Sequence, residues 1–407
     1  MNTRDLLKNM TFTRGIVDRF LDPGAPNWSL PDPELGYRLQ DTLLKYGLDQ
    51  TYAIFRYEPD GARKMVNFAE QPCRINTYGD SYTQGCQVND GETWQEILAA
   101  HFGEPIRNFG VGGYGVYQAY RRMLREESLD SSVRNILLNI YSADHVRNVY
   151  SWRWLTYTDS RRGGIKEVSD ALGSWVLECA PWAHLRLNLQ SGSFDEIENR
   201  YSTPESLYLL CDEEHVLENF KNDLWVQVVL AQKHATDTNI GLLRQVADAL
   251  DIPDDFSTAE ATASSASTVF QACALRSTMF AVDRARDLAE RQNKKLMVLL
   301  SYSAEDIVRA SKGAPRPDAA LVDHLEAEGI DYVDTLERHL KDYQSFSCSP
   351  EEYADRLYIG HYNPSGNHFF AFAIKDAVMS WLDPAPPTYQ TDKGAAALVL
   401  ASNSRGP

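Results

Sequence analysis

Between Cys73 and Tyr141 the chain alternates between short apolar, β-prone runs and amphipathic stretches, and this rhythm limits the folds open to it. The pattern predicts strands at 73–78, 106–109 and 134–141, with helices at roughly 91–102 and 115–127 between them. Strands joined through helices by short links pair in parallel. The rhythm returns with a helix at 277–292, the strand Leu296–Leu300, a helix near 318–327, the strand Ile330–Val333 and a last helix from Pro364 to Trp381. The expected fold class is α/β, a doubly wound and mostly parallel sheet. In such a sheet the loops leaving the carboxyl ends of the strands converge on one crevice, where ligands bind.

The remaining segments read as additions to that core. Residues 1–70 read as an N-terminal cap, with Pro23, Pro26, Pro31 and Pro33 in an irregular stretch and a strand at Thr51–Tyr57. The α/β domain covers 71–383, and 146–270 is an insertion over the sheet edge, placed to shape substrate access. The insertion carries Tyr150, Trp152, Trp154 and Tyr157, an aromatic cluster that suits a core or a cleft wall. It contains a helical stretch near 214–235 and a small-residue linker, Ala259–Ser267. From 384 to 407 the chain is rich in Pro and Ala and reads as a disordered tail.

Charge narrows the partners. A formal net charge of −17, without clustered Lys or Arg, argues against nucleic acid and against an anionic membrane surface. The six cysteines lack Cys-x-x-Cys pairs and nearby His at ligand spacing, so no metal site is expected. The first residues carry no apolar leader, and no stretch is long and apolar enough to span a membrane. A cytoplasmic protein with free thiols is the expectation.

Four segments fall where strands hand over to loops or loops start helices. Gly79-Asp80-Ser81 follows the run Ile75–Tyr78, and the turn sets a serine hydroxyl at the sheet edge. Asn108-Phe109-Gly110-Val111-Gly112-Gly113-Tyr114-Gly115 follows the second strand. Leu137-Leu138-Asn139-Ile140-Tyr141-Ser142-Ala143-Asp144 ends the third. Gly360-His361-Tyr362-Asn363-Pro364 precedes the last helix, with Asn363 and Pro364 as N-cap and first helical residue. That leaves His361 in the loop, His368 inside the helix, and His145 beside Asp144 as a structural partner. The glycine run also fits a dinucleotide fingerprint, but the acidic residue that should end the next strand about 20 residues on comes too late.

Together these segments resemble the SGNH (GDSL-type) hydrolase family over roughly 73–145 and 294–380. The resemblance implies a flavodoxin-like core, ester hydrolysis through an acyl-serine intermediate, and neither metal nor organic cofactor. It makes Ser81 the nucleophile, His361 the base and Gly113 an oxyanion donor. The implied substrate is a small-molecule or saccharide ester, with a short acyl or acetyl group.

The chain departs from the family pattern twice. Ala143 stands where the family carries an oxyanion asparagine, a loss of about 3 kcal/mol if nothing replaces it. Ser142, and after it Asn139, are the candidate substitutes beside Asp144. Tyr358 and Ile359 stand where the family places the acid, which leaves Asp355 or a backbone carbonyl to orient His361. These departures keep two other functions open. One is a binding protein that has lost efficient catalysis, and the other is an acyltransferase or lyase using the same serine and base.

Overall fold

The computed structural model describes residues 2–157 and 175–386. Five parallel strands form its central sheet: β1 (Ile75–Tyr78), β2 (Arg107–Asn108), β3 (Asn135–Tyr141), β4 (Lys295–Ser301) and β5 (Tyr332–Asp334). Every residue of β1 is buried, as are the first six of β3 and the last six of β4. Burial on both faces is what helix-covered parallel strands require. Helix Trp94–Phe102 packs with Pro364–Trp381, and Val116–Glu126 packs with Ala259–Arg291.

The strand order is β2-β1-β3-β4-β5. The chain leaves β1 toward one edge and returns to the other side of β1 as β3. The switch point, where ligands bind in open α/β sheets, therefore lies between the carboxyl ends of β1 and β3. Ser81 follows β1 and Ser142–Arg147 follow β3.

Several elements differ in extent from the sequence expectation, and the helical stretch near 214–235 is two helices, Glu213–Phe220 and Leu224–Gln232. The second strand shrinks to Arg107–Asn108, although Phe109 N–H still donates to Thr77 O at 2.9 Å. The segment Ala259–Ser267 is not a linker. It is the start of a 33-residue helix, Ala259–Arg291, capped by the Thr258 side chain. Alanine is the best helix former, and the helix packs with Leu224–Gln232 and buries small residues such as Ala266. The tail beyond 386, expected to be disordered, lies outside the described residues, as does the Tyr157 side chain. Trp152 and Trp154 are fully buried core.

Residues 1–70 carry two short helices and two hairpins, Ser29–Asp32 with Gly36–Leu39 and Thr42–Lys45 with Tyr52–Phe55. They are bonded into the switch point. Tyr37 Oη donates to Gly112 O at 2.7 Å, and Tyr114 Oη donates to Tyr37 O. The buried Arg63 guanidinium donates to Gln84 O and Gly85 O, both at 2.6 Å, and pairs with Asp90. A buried arginine saturated by carbonyls fixes whatever those carbonyls belong to. Here they belong to the end of the short helix Ser81–Gln84. All six cysteines carry free thiols. No helix among the described residues is long and apolar enough to cross a membrane.

Candidate functional site

The turn after β1 is shaped by sterics. Gly79 has φ of 152°, and a Cβ there would lie 2.1 Å from Thr83 Oγ1 and 2.5 Å from Asn139 O. Asp80 caps the following turn, its Oδ1 accepting Tyr82 N–H at 2.8 Å. Ser81 thus opens a helical turn at the switch point, its hydroxyl free to face the cavity.

Across the sequence, 280 residues away, His361 meets it: Nε2 lies 2.8 Å from Ser81 Oγ. The histidine's tautomer follows from its other contacts. Gln87 Oε1 receives the His361 backbone N–H at 2.8 Å and lies 3.1 Å from Nδ1. A backbone N–H only donates, so the Gln87 atom is the acceptor oxygen and Nδ1 carries the proton. Nε2 is left with its lone pair toward Ser81. Gln87 Nε2 donates to Tyr46 O at 3.1 Å, which holds the amide at its other end. Gln87 has φ of 74°, a left-handed conformation that is uncommon for a residue with a side chain. Such strain is found where a side chain must be aimed.

Burial pushes His361 down to about 4, with Asp80 opposing the shift and Arg147 adding to it. The neutral imidazole, able to accept a proton, is therefore the form present near neutral pH.

Beside Ser81 lies a buried charged cluster. Arg147 Nη1 donates to Asp80 Oδ2 at 2.9 Å and to Asp144 Oδ1 at 2.6 Å, while Asp80 Oδ2 lies 3.1 Å from Ser81 Oγ. Burial, and then the neighbouring Asp80, hold the Asp144 carboxyl well above the usual range despite Arg147.

The cavity over Ser81 and His361 measures about 310 Å³, within the size range of small-ligand sites. Trp28, Leu39 and Tyr46 of the N-terminal segment wall one part, and Arg147, Arg153 and Glu178 of the insertion wall another. Both additions to the α/β core thus shape access. Burial lifts Glu178 to about 8, against hydrogen bonds from Ser29 and Trp28 and the nearby Arg153. Cys86 also lines the cavity, but burial pushes its thiol up to about 12, so it holds no thiolate to compete with Ser81.

Gly112 lies against Ser81: a Cβ built on it would sit 3.7 Å from Ser81 Cβ. Its N–H is taken by Gln84 Oε1 at 3.0 Å. Gly113 follows with φ of 87°, and neither its N–H nor that of Ser81 has a hydrogen-bond partner among the described residues. Two such backbone donors beside a serine hydroxyl are the elements from which an oxyanion site would be built.

Ser81, His361 and Gly113 thus meet at the cavity, and the four other candidates do not line it. Asp355 ends the helix Pro350–Asp355 and is exposed, while Gln87 occupies the far side of His361. Ser142 Oγ donates to Asp306 at 2.5 Å. Asn139 Oδ1 accepts from Ser301, and its Nδ2 is buried without a partner, away from the cavity lining. Asp144 is buried beneath Arg147 and accepts the Tyr141 N–H. Of the other histidines, His145 bonds Thr278 and His368 stacks on Phe372. Among the described residues no three His, Cys, Asp or Glu side chains gather as metal ligands.

Gln87 escaped sequence reasoning. It lies six residues after Ser81 and 274 before His361, and its left-handed backbone is not announced by the sequence. Replacing it by leucine, similar in volume but unable to accept, is expected to slow labelling of Ser81 by a fluorophosphonate roughly 10²-fold, at the lower end of what a general base contributes. Gln87→Glu should instead raise the His361 pKa, moving the acid limb of the pH–rate profile toward neutrality. An acid limb unmoved in Gln87→Glu would remove Gln87 from the site.

No model of a known protein family matches the chain, and no curated protein matches it.

Proposed function

We propose that this protein is a serine hydrolase that cleaves small esters through an acyl-Ser81 intermediate, on a fold similar to that of the SGNH (GDSL-type) hydrolases. The observation that carries this reading is the 2.8 Å contact between Ser81 Oγ and an imidazole nitrogen whose lone pair faces it. His361 takes the serine proton as Oγ attacks the acyl carbon. The charge that develops on the carbonyl oxygen is met by the Gly113 and Ser81 N–H groups. The imidazolium then returns the proton to the departing alcohol, and a water molecule activated by the same histidine releases the acid. An amide in place of the usual carboxylate fixes the tautomer but adds no charge to stabilise the imidazolium, so the dyad is weaker than a full triad.

That same amide favours a second reading, a binding protein on a hydrolase-like frame. The two separate on covalent chemistry. A fluorophosphonate probe should label the intact protein, and peptide mapping should find the adduct on Ser81. Absence of any adduct, in folded protein, would favour binding.

The pH dependence gives an independent check. His361 must be neutral to act, and burial depresses its pKa to about 4. Ester turnover and Ser81 labelling should therefore be flat from neutral pH down to about 5 and fall as pH drops through about 4. An acid limb near the ordinary histidine value, about 6.5, would contradict the desolvated, uncharged base.

A further inference from the structure

We propose that Arg147 is an oxyanion donor, doing from one helical turn later what Ala143 has no side chain to do. The inference rests on the acyl-serine reading above. Ala143 is the N-cap of the short helix Asp144–Arg147, so Arg147 is its i+4 neighbour on the same helix face. Helical side chains lean toward the N-terminus, which carries the head of Arg147 back over position 143.

The contacts agree with that direction. Arg147 Nη1 bonds Asp80 Oδ2 at 2.9 Å, and that same carboxylate oxygen is 3.1 Å from Ser81 Oγ. The guanidinium therefore stands one carboxylate oxygen away from the nucleophile. Tyr114 O, at 3.2 Å, and Asp144 Oδ1 also bond Nη1. All three hydrogen bonds use this one nitrogen, and Nε and Nη2 make none among the described residues. The side chain is only 11 % exposed and lines the cavity with Ser81, Gly113 and His361. Ser142 and Asn139, the alternatives for this role, are absent from that lining.

A fixed cation is suited to the task. As Ser81 Oγ bonds to the acyl carbon, the carbonyl π pair moves onto oxygen and the serine proton passes to His361. The resulting oxyanion lies in a site largely screened from water, where a preorganised donor counts for more than in solvent. Asp80 and Asp144 hold the guanidinium in place before reaction, so little reorganisation is needed. When the oxyanion collapses, the pair returns to the carbonyl and the alkoxide leaves with the proton from His361. Arg147 gives up no proton at any stage.

The test compares wild type, Ser81→Ala and Arg147→Ala on p-nitrophenyl acetate and in the rate of Ser81 labelling by a fluorophosphonate. Arg147→Ala should lose about 10²- to 10³-fold in kcat, with KM nearly unchanged, and label correspondingly slowly. Added methylguanidinium should restore part of both rates, which a structural defect would not allow. If Arg147→Ala fails to fold, Arg147→Met combined with Asp144→Asn removes the cation together with one buried carboxylate partner. This pair should fold and show the same kcat loss. Wild-type kcat and labelling in a folded Arg147 variant would overturn the proposal, as would a loss confined to KM. In both cases labelled wild-type Ser81 leaves the acyl-serine reading standing. A wild-type protein that neither labels at Ser81 nor turns over overturns that reading, and the role of Arg147 with it.

Discussion

Ser81→Ala is expected to abolish ester turnover to within the background, a fall in kcat of about 10⁴- to 10⁶-fold relative to wild type. The size follows from what remains. The Gly113 and Ser81 N–H groups and the cavity are untouched by the substitution, and in serine hydrolases the corresponding elements alone leave a residual acceleration of about 10³- to 10⁴-fold over water. His361→Ala should fall by a similar factor, since a nucleophile without its base is as ineffective as a base without its nucleophile. The double variant should be hardly worse than either single one, because the pair acts as a unit. Cys86, the cysteine among the described cavity-lining residues, is not ready to replace Ser81. The Cys86 thiol is pushed up to about 12 by burial and remains protonated. The change should be tolerated structurally, because among the described residues the lost hydroxyl bonds only His361 and Asp80. Loss of those bonds costs about 1 kcal/mol, readable as a small shift in thermal midpoint. Turnover of folded Ser81→Ala within tenfold of wild type would end the assignment of Ser81.

The parts of this site differ in how far the sequence discloses them, and the difference is physical. Ser81 and His361 are legible because each is positioned by its own neighbours. Gly79 and Asp80 make the turn that presents Ser81, and Asn363 with Pro364 starts the helix that leaves His361 in its loop. The parallel sheet then brings these loop ends together whatever lies between them. Gln87 is not legible. Its role depends on one left-handed residue and on a contact spanning 274 positions, and glutamine in a turn carries no chemical signature. Asp355 suits the role by its closeness in sequence to His361, but it closes a helix and is exposed to solvent. Ser142 is a similar case. It sits at the end of β3, yet its hydroxyl is claimed by Asp306 from a distant helix. The segment Ala259–Ser267 was misleading for another reason. Alanine and serine without a clear apolar stripe read as a linker, whereas a helix packed closely on its neighbour needs small residues and shows little amphipathic contrast.

Gly110 tests how tightly the nucleophile's turn is held, and Gly110→Ala is expected to damage both stability and catalysis. The glycine is required by close approach, since its φ is not among the positive ones. A Cβ at this position would lie 2.2 Å from Gln84 N and 2.6 Å from Thr83 C, backbone atoms of the turn that carries Ser81. No side-chain rotation relieves such a clash, so either the glycine loop or the nucleophile turn must move. Both are tied down. Asn108 Nδ2 donates to Thr83 O at 2.9 Å, Val111 N–H donates to Gly79 O at 3.0 Å, and Arg63 grips Gln84 O and Gly85 O from the other side. Overpacking against fixed backbone costs about 3 kcal/mol, which should appear as a clear loss in denaturation midpoint. The displacement also opens the 2.8 Å Ser81–His361 contact, and a misplacement of about 1 Å costs roughly 10²-fold in rate. Two other glycines calibrate the result. At Gly112 the nearest atom to an added Cβ is Gln84 Oε1, the mobile end of a side chain, at 2.8 Å. At Gly91 nothing lies closer than 3.9 Å. Stability should therefore fall in the order Gly91→Ala, Gly112→Ala, Gly110→Ala, with the first near wild type. A Gly110→Ala protein as stable and as active as Gly91→Ala would mean that the loop and the nucleophile turn are not packed against each other in solution, and the oxyanion assignment of Gly113 would lose its structural basis.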